Sequence, residues 1–200
     1  MRIMQSSMDP CLYYLIDTAL IVLIAVSVDD YVVASSCSDR YDGFLAAFSS
    51  LFEVNDLGVV SHLLQMSVDW AETSVCLGQQ RHIEDLLREY DMIDFKSVQT
   101  PMEAGLRLEP ASICLLSIPF RRLLGSLLWI ARCTRPDIFY ALIYLSRFAG
   151  AYDVQHFKAL KRVLRYLGCT KHYRLEFHSM FPSAVGSPIP ADALTGALIE

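Results

Sequence analysis

The chain has 200 residues, 54% apolar and 20% charged, with a net charge of −5. So large an apolar share can bury a real core, which excludes a chain disordered throughout, and the acidic total excludes a basic nucleic-acid coat spread over the whole surface. The longest apolar run, residues 18–28, has eleven residues, about half of the roughly 20 a spanning helix needs, so no membrane partner is expected.

Residues 11–34 read as two strands around a tight turn. Leu20–Val26 is rich in β-branched residues, Ser27-Val28-Asp29-Asp30 forms the polar step, and Tyr31–Ala34 returns. The turn lacks a glycine and therefore carries a cost. Residues 39–52 suit a helix, with Tyr41, Phe44, Leu45, Phe48 and Phe52 near helical spacing. Asn55-Asp56-Leu57-Gly58 is a loop signal. Two short strands are predicted over Val60–Val68 and Thr73–Leu77. Gln80–Tyr90 is an amphipathic helix, with Ile83, Leu86, Leu87 and Tyr90 at i, i+3, i+4, i+7. Thr100-Pro101 breaks the chain, and 103–118 read as an irregular connection. A helix over Pro119–Ala131 follows. Another opens at Thr134-Arg135-Pro136-Asp137, with the threonine hydroxyl as cap, and runs to Phe148. The last helix spans Asp153–Gly168, with Gly168 as its C′ residue. Its apolar face is Val154, Phe157, Leu160, Leu164 and Leu167; Lys158, Lys161, Arg162 and Arg165 form a second stripe. The final twenty residues, rich in Pro, Ser, Gly and Ala, are expected to be disordered.

Charge is distributed unevenly. Residues 1–117 carry 6 basic and 17 acidic side chains, whereas residues 118–178 carry 11 basic and 3 acidic. A local anionic partner is one reading; mutual neutralisation of the two halves within the fold is the other. The stripe at 158–165 is correspondingly either a track for phosphates or a solvated helix face. Arg121, Arg122, Arg132, Arg135, Arg147, Lys171 and Arg174 lie nearby and favour an anionic partner. Asp29 and Asp30 are either an exposed polar turn or a pair of hard oxygen ligands whose mutual repulsion Mg²⁺ would relieve. The six cysteines form no CxxC pair and no secretory signal precedes them, which suits reduced thiols in an intracellular protein. The five histidines have no metal-ligand spacing, the glycines form no phosphate-cradling loop, and Trp70 and Trp129 are expected in the core.

A family resemblance brings these features together. Asp9-Pro10-Cys11-Leu12-Tyr13, Val28-Asp29-Asp30, Phe52–Gly58, the Gln80–Met92 helix, Thr100-Pro101-Met102-Glu103, Arg122–Leu128, Thr134–Ile138, Leu145–Phe148 and Lys161–Thr170 stand in the order of motifs of one family. Over residues 9–178 the chain resembles the C-terminal part of the reverse transcriptase of copia-type LTR retrotransposons. The resemblance implies an α+β fold: a partial polymerase palm over 1–102, made of a β-hairpin with a flanking helix and short strands, then a helical thumb and connection over 103–178. Residues 179–200 would be a vestige of the link to RNase H.

The resemblance further implies that Asp29 and Asp30 are catalytic Mg²⁺ ligands. Arg121, Arg122, Arg135, Lys158, Lys161, Arg162 and Arg165 would touch a template–primer such as an RNA/DNA duplex. Other parts of the retroelement polyprotein would be further partners. Two departures stand out: Ser27 replaces the family's Tyr before Val-Asp-Asp, and Leu64-Gln65-Met66 has lost the glycine of the usual turn. Only 28 residues precede Asp29, whereas the family's other metal-binding Asp lies farther upstream. The expectation is therefore a polymerase fragment inactive alone. A non-enzymatic nucleic-acid-binding module and a decayed remnant are the alternatives.

Overall fold

More strands form than the apolar runs announce, because short alternating stretches pair once a neighbour is present. The computed structural model describes residues 3–17, 20–28, 30–35, 38–71, 74–178 and 194–198. It is a mixed α+β chain in two compact units, Met1–Leu63 with Val68–Val75 and Phe177–Glu200, and Leu64–Ser67 with Cys76–Glu176.

The first unit contains β1 (Met4–Gln5), β2 (Leu12–Asp17), β3 (Leu20–Ser27), β4 (Asp30–Ser35), α1 (Ser38–Ser49) and β5 (Asn55–Val59). Its sheet has the order β1-β2-β3-β4-β10-β5, where β10 is Leu194–Leu198. Residues 11–34 thus hold three strands rather than two. The extra one, β2, pairs antiparallel with β3 over its whole length, Leu12 opposite Ala25 and Ile16 opposite Ile21. Leu15, Val22, Ile24 and Val33 point to one face and form a core with Tyr41 of α1, against which Phe44 and Leu45 also pack. The alternate residues Ile16, Ile21 and Leu23 remain exposed on the other face.

The predicted loop at 55–58 is strand β5. Its loop-like residues mark an irregularity: Gly58 adopts φ +73, its N–H donates to Asp56 Oδ1 at 2.9 Å, and the β10–β5 register shifts between Thr195 and Ala197. The tail expected to be disordered contributes β10, which joins β4 and satisfies backbone groups that an open edge would leave unpaired. The remaining tail residues, 179–193 and 199–200, lie outside the described residues.

A second sheet has the order β6-β7-β8-β9, from His62–Leu63, Met66–Trp70, Ser74–Gly78 and Leu175–His178. The strand predicted over 60–68 is interrupted where Leu64 and Gln65 take φ of 48 and 65. A two-residue turn with both central φ values positive suits Asn-Gly, and these side chains strain it.

The second unit is built on helices α2 (Gln80–Glu89), α3 (Phe120–Cys133), α4 (Phe139–Ser146) and α5 (Val154–Cys169), with a 3₁₀ turn at Pro136–Ile138. Helix α2 belongs to this unit. Residues 103–118 form the irregular connection expected. Ile83, Leu86, Leu87, Phe120, Leu123, Leu127, Ile130, Leu142, Leu160, Val163, Leu164 and Leu167 are buried in one core. Val154 is exposed, and Val163 takes the place assigned to it on the apolar face. Trp129 is also partly exposed. Gly168 lies inside α5 and is not its C′ residue; a Cβ there would overlap the Phe95 ring.

Thr134 does not cap. Its hydroxyl donates to Gln79 Oε1 at 2.7 Å, in a buried pair. The neighbouring Arg135 is 2% exposed. Its Nε and Nη2 donate to the two Asp137 carboxylate oxygens at 2.9 and 2.7 Å. Its Nη1 and Nη2 donate to the Thr170 carbonyl and hydroxyl at 2.9 and 2.7 Å. The guanidinium also lies over the rings of Tyr166 and Tyr173. Arg135 therefore ties the α3–α4 junction to the end of α5, and a buried charge stands there because Asp137 neutralises it.

Burial alone would raise the Asp137 carboxyl, but hydrogen bonds from Arg135 and Tyr166 and the guanidinium charge outweigh it and hold the group below its ordinary value of 3.8. A depressed carboxylate contributes stability above its unfolded value and loses it as pH falls through the folded one. The melting temperature of the wild type should therefore fall more steeply below pH 3.8 than that of Asp137→Asn; parallel curves would contradict the clamp. In the strained turn, Leu64→Asn with Gln65→Gly should stabilise by about 1 kcal/mol. The measurement is a raised urea midpoint at unchanged slope.

Candidate catalytic hairpin and nucleic-acid interface

The acidic hairpin joins β3 to β4. Ser27 pairs with Asp30, and Val28 follows Ser27 in the turn between the strands. The cost expected of this turn is visible at Val28, a β-branched residue held at φ 56 and largely exposed to solvent. Asp29 itself lies outside the described residues. Asp30 opens β4 and is half-buried. Register places it on the same sheet face as Ser27, Ala25 and Leu23, opposite the α1 core.

Asp30 thus offers a hard oxygen donor from the end of a paired strand, next in sequence to a second carboxylate. That donor chemistry fits Mg²⁺, which takes one or two protein carboxylates and completes its shell with water and phosphates. Among the described residues no three His, Cys, Asp or Glu side chains gather as a metal-holding group. Further oxygen ligands for an ion at the hairpin would have to come from a nucleotide, water or other carboxylates.

The cationic residues separate into distinct environments. Helix α5 starts at Asp153, whose carboxylate accepts from Gln155 N at 2.8 Å and His156 N at 3.3 Å, with His156 Nδ1 2.8 Å away. The His156 hydrogen bond is the main cause holding the Asp153 carboxyl below its ordinary value. With Leu160, Val163, Leu164 and Leu167 buried, helical geometry turns residues 158, 161, 162 and 165 toward the other side. Lys158 is exposed, and Lys161 lies over the Phe157 ring at 5.1 Å. Lys158, Lys161 and Arg165 make no ion pair among the described residues. Arg162 does: its Nη1 meets Glu103 Oε1 at 3.0 Å and its Nη2 donates to Thr100 at 3.1 Å.

The other predicted contacts are partly spent inside the unit. Arg122 pairs with Glu89 at 2.9 Å on the surface. Arg121 donates to the Ala149 carbonyl at 2.7 Å and lies near the Tyr152 ring. Arg135 is buried, with its donors turned to Asp137 and Thr170. Lys171 meets Glu84 at 2.7 Å, and this hydrogen bond is the chief reason that the Glu84 carboxyl is lowered.

Both readings of the charge pattern are therefore partly realised. Glu84, Glu89 and Glu103, from the acidic stretch, neutralise Lys171, Arg122 and Arg162. Three cations of the α5 stripe remain. Alongside them lies a groove lined by Met92, Met102, Leu106 and Leu108, which sequence patterning missed because the 91–119 connection has no periodicity.

Comparison with known proteins agrees with the motifs. The profile of the family described as reverse transcriptase (RNA-dependent DNA polymerase) matches residues 1–104. The retrovirus-related Pol polyprotein from transposon RE1 of Arabidopsis thaliana is 35% identical over 171 residues, covering 84% of this chain and 12% of the polyprotein. The corresponding polyprotein from transposon TNT 1-94 of Nicotiana tabacum is 30% identical over 171 residues, covering 80% of this chain and 13% of its own length. A transposon Ty5-1 protein of Saccharomyces cerevisiae is 33% identical over 180 residues, covering 88% of this chain and 58% of its own. The chain thus spans about an eighth of the two polyproteins. No solved structure matches. With the profile covering more than half of its residues, the chain belongs to the reverse transcriptase family, in the form carried by copia-type transposon Pol polyproteins.

Proposed function

We propose that the chain is a segment of a transposon reverse transcriptase that supplies part of a Mg²⁺-dependent nucleotidyl-transfer site and a grip on the template–primer. Asp29 and Asp30 are the metal-binding carboxylates. Lys158, Lys161 and Arg165 take phosphates of an RNA/DNA duplex, with Arg121 and Arg122 at the margin. The observation that carries this reading is the α5 stripe: three cations on one helix face that make no ion pair among the described residues, in a chain of a polymerase family.

From Lys158 to Arg165 the helix rises about 10.5 Å at roughly 1.5 Å per residue, the axial span of about three phosphates of one strand. Arg162 acts differently, because Glu103 already holds it. The free thiols Cys11, Cys76, Cys114, Cys133 and Cys169 suit a reducing, intracellular setting.

Divalent ions held here would supply charge stabilisation for nucleotidyl transfer, and they would need more oxygen ligands than the Asp29 and Asp30 carboxylates of one hairpin offer. The 200-residue polypeptide by itself is therefore a binder and not a polymerase. Among alternatives, a purely nucleic-acid-binding role shares the α5 stripe and differs only at the hairpin.

Two measurements test the reading. In a salt titration of RNA/DNA duplex binding, Lys158→Ala with Lys161→Ala and Arg165→Ala should flatten the slope of log K against log salt by about 3. An unaltered slope in the triple variant ends the interface assignment. In primer extension with Mg²⁺ or Mn²⁺ the chain alone should make no product, and Asp29-dependent synthesis would overturn its assignment as an incomplete site.

A further inference from the structure

The α5 cations border a cavity. About 570 Å³ of space lies between the 92–108 connection and α5, with Met92, Met102, Leu106 and Leu145 among its apolar walls and Lys158, Lys161, Arg162 and Arg165 along its rim. That volume is typical of a small-ligand site. A phosphate track alone needs only the rim; nothing in backbone neutralisation calls for an apolar hollow beside it.

From this pairing of charge and apolar space we infer that the cavity accepts one unpaired nucleobase of the bound nucleic acid, its phosphates remaining on the α5 cations. The inference rests on the nucleic-acid reading above and adds what the cavity is for. Several groups fit a base. The thioethers of Met92 and Met102 are adaptable surfaces that make favourable sulfur–aromatic contacts. The Gln155 amide, also on the wall, carries both donors and an acceptor for a base edge. Arg162 supplies a planar guanidinium, a shape that stacks on bases. Its Nε is buried and has no partner among the described residues, although Glu103 and Thr100 hold its other nitrogens.

The consequence is structural selectivity: the protein prefers duplexes with an extruded or overhanging nucleotide, because a fully stacked duplex cannot fill the cavity. No covalent step is involved.

The test compares two RNA/DNA duplexes, identical except for one unpaired nucleotide, with the full chain. The unpaired form should bind about tenfold tighter, in line with the usual worth of one buried, stacked base. With 2-aminopurine at the unpaired position, fluorescence should change on binding the wild type. Met102→Gln with Leu106→Gln should abolish the preference while keeping salt-dependent affinity for the plain duplex. Ala159→Leu, which fills the cavity from the helix side, should do the same if the first variant misfolds. Equal wild-type affinity for the two duplexes, or a preference that survives both variants, overturns the base pocket while leaving the phosphate track in place. Loss of salt-dependent binding to both duplexes would overturn the nucleic-acid reading along with it.

Discussion

The buried guanidinium of Arg135 is the constraint on which the helical unit depends. A charge removed from water at this depth stands only if its donors are matched. Here four N–H contacts reach Asp137 and Thr170, and two tyrosine rings flank the group. Thr170 is the residue immediately after α5. Fixing it anchors the C-terminal end of the helix, while the Asp153–His156 capping box fixes the start. Held at both ends, with Leu160, Val163, Leu164 and Leu167 in the core, the helix has no freedom to rotate its cations inward.

Electrostatics within that unit is selective. Acidic residues of α2 and of the following connection reach Arg122, Lys171 and Arg162. Exposed pairs of this kind are individually weak, but each reduces the charge available to a partner. The three other cations of the α5 stripe make no ion pair among the described residues, and the apolar cavity lies beside them. At the hairpin, a different strain is stored: Val28 is held in a left-handed conformation beside the carboxylates. Such strain persists only where the paired strands on both sides over-determine it.

Much of this was legible in the sequence. The β3 and β4 runs, the Gln80 helix and the apolar stripe of α5 follow from periodicity, and the elements they predict form. The motifs that point to the family are likewise visible, and the comparisons bear them out. What failed did so for physical reasons. Strand β2 exists because β3 offers it a partner, which local pattern cannot show. Gly58 carries a loop signal but serves a strand irregularity, and Gly168 carries a helix-stop signal but makes room for Phe95. The burial of Arg135 among eleven cations is not visible in the sequence, since a charge count carries no information about burial. The cavity is formed by a connection without periodicity and could not be seen before its tertiary packing.

Lysine footprinting by acetylation and mass spectrometry addresses the interface most directly. The chain has four lysines, Lys96, Lys158, Lys161 and Lys171, in different environments. On addition of an RNA/DNA duplex, Lys158 and Lys161 should become protected while Lys96 reacts as before. Unchanged reactivity at Lys158 and Lys161 with the duplex demonstrably bound, or protection confined to Lys96, would contradict an interface on α5.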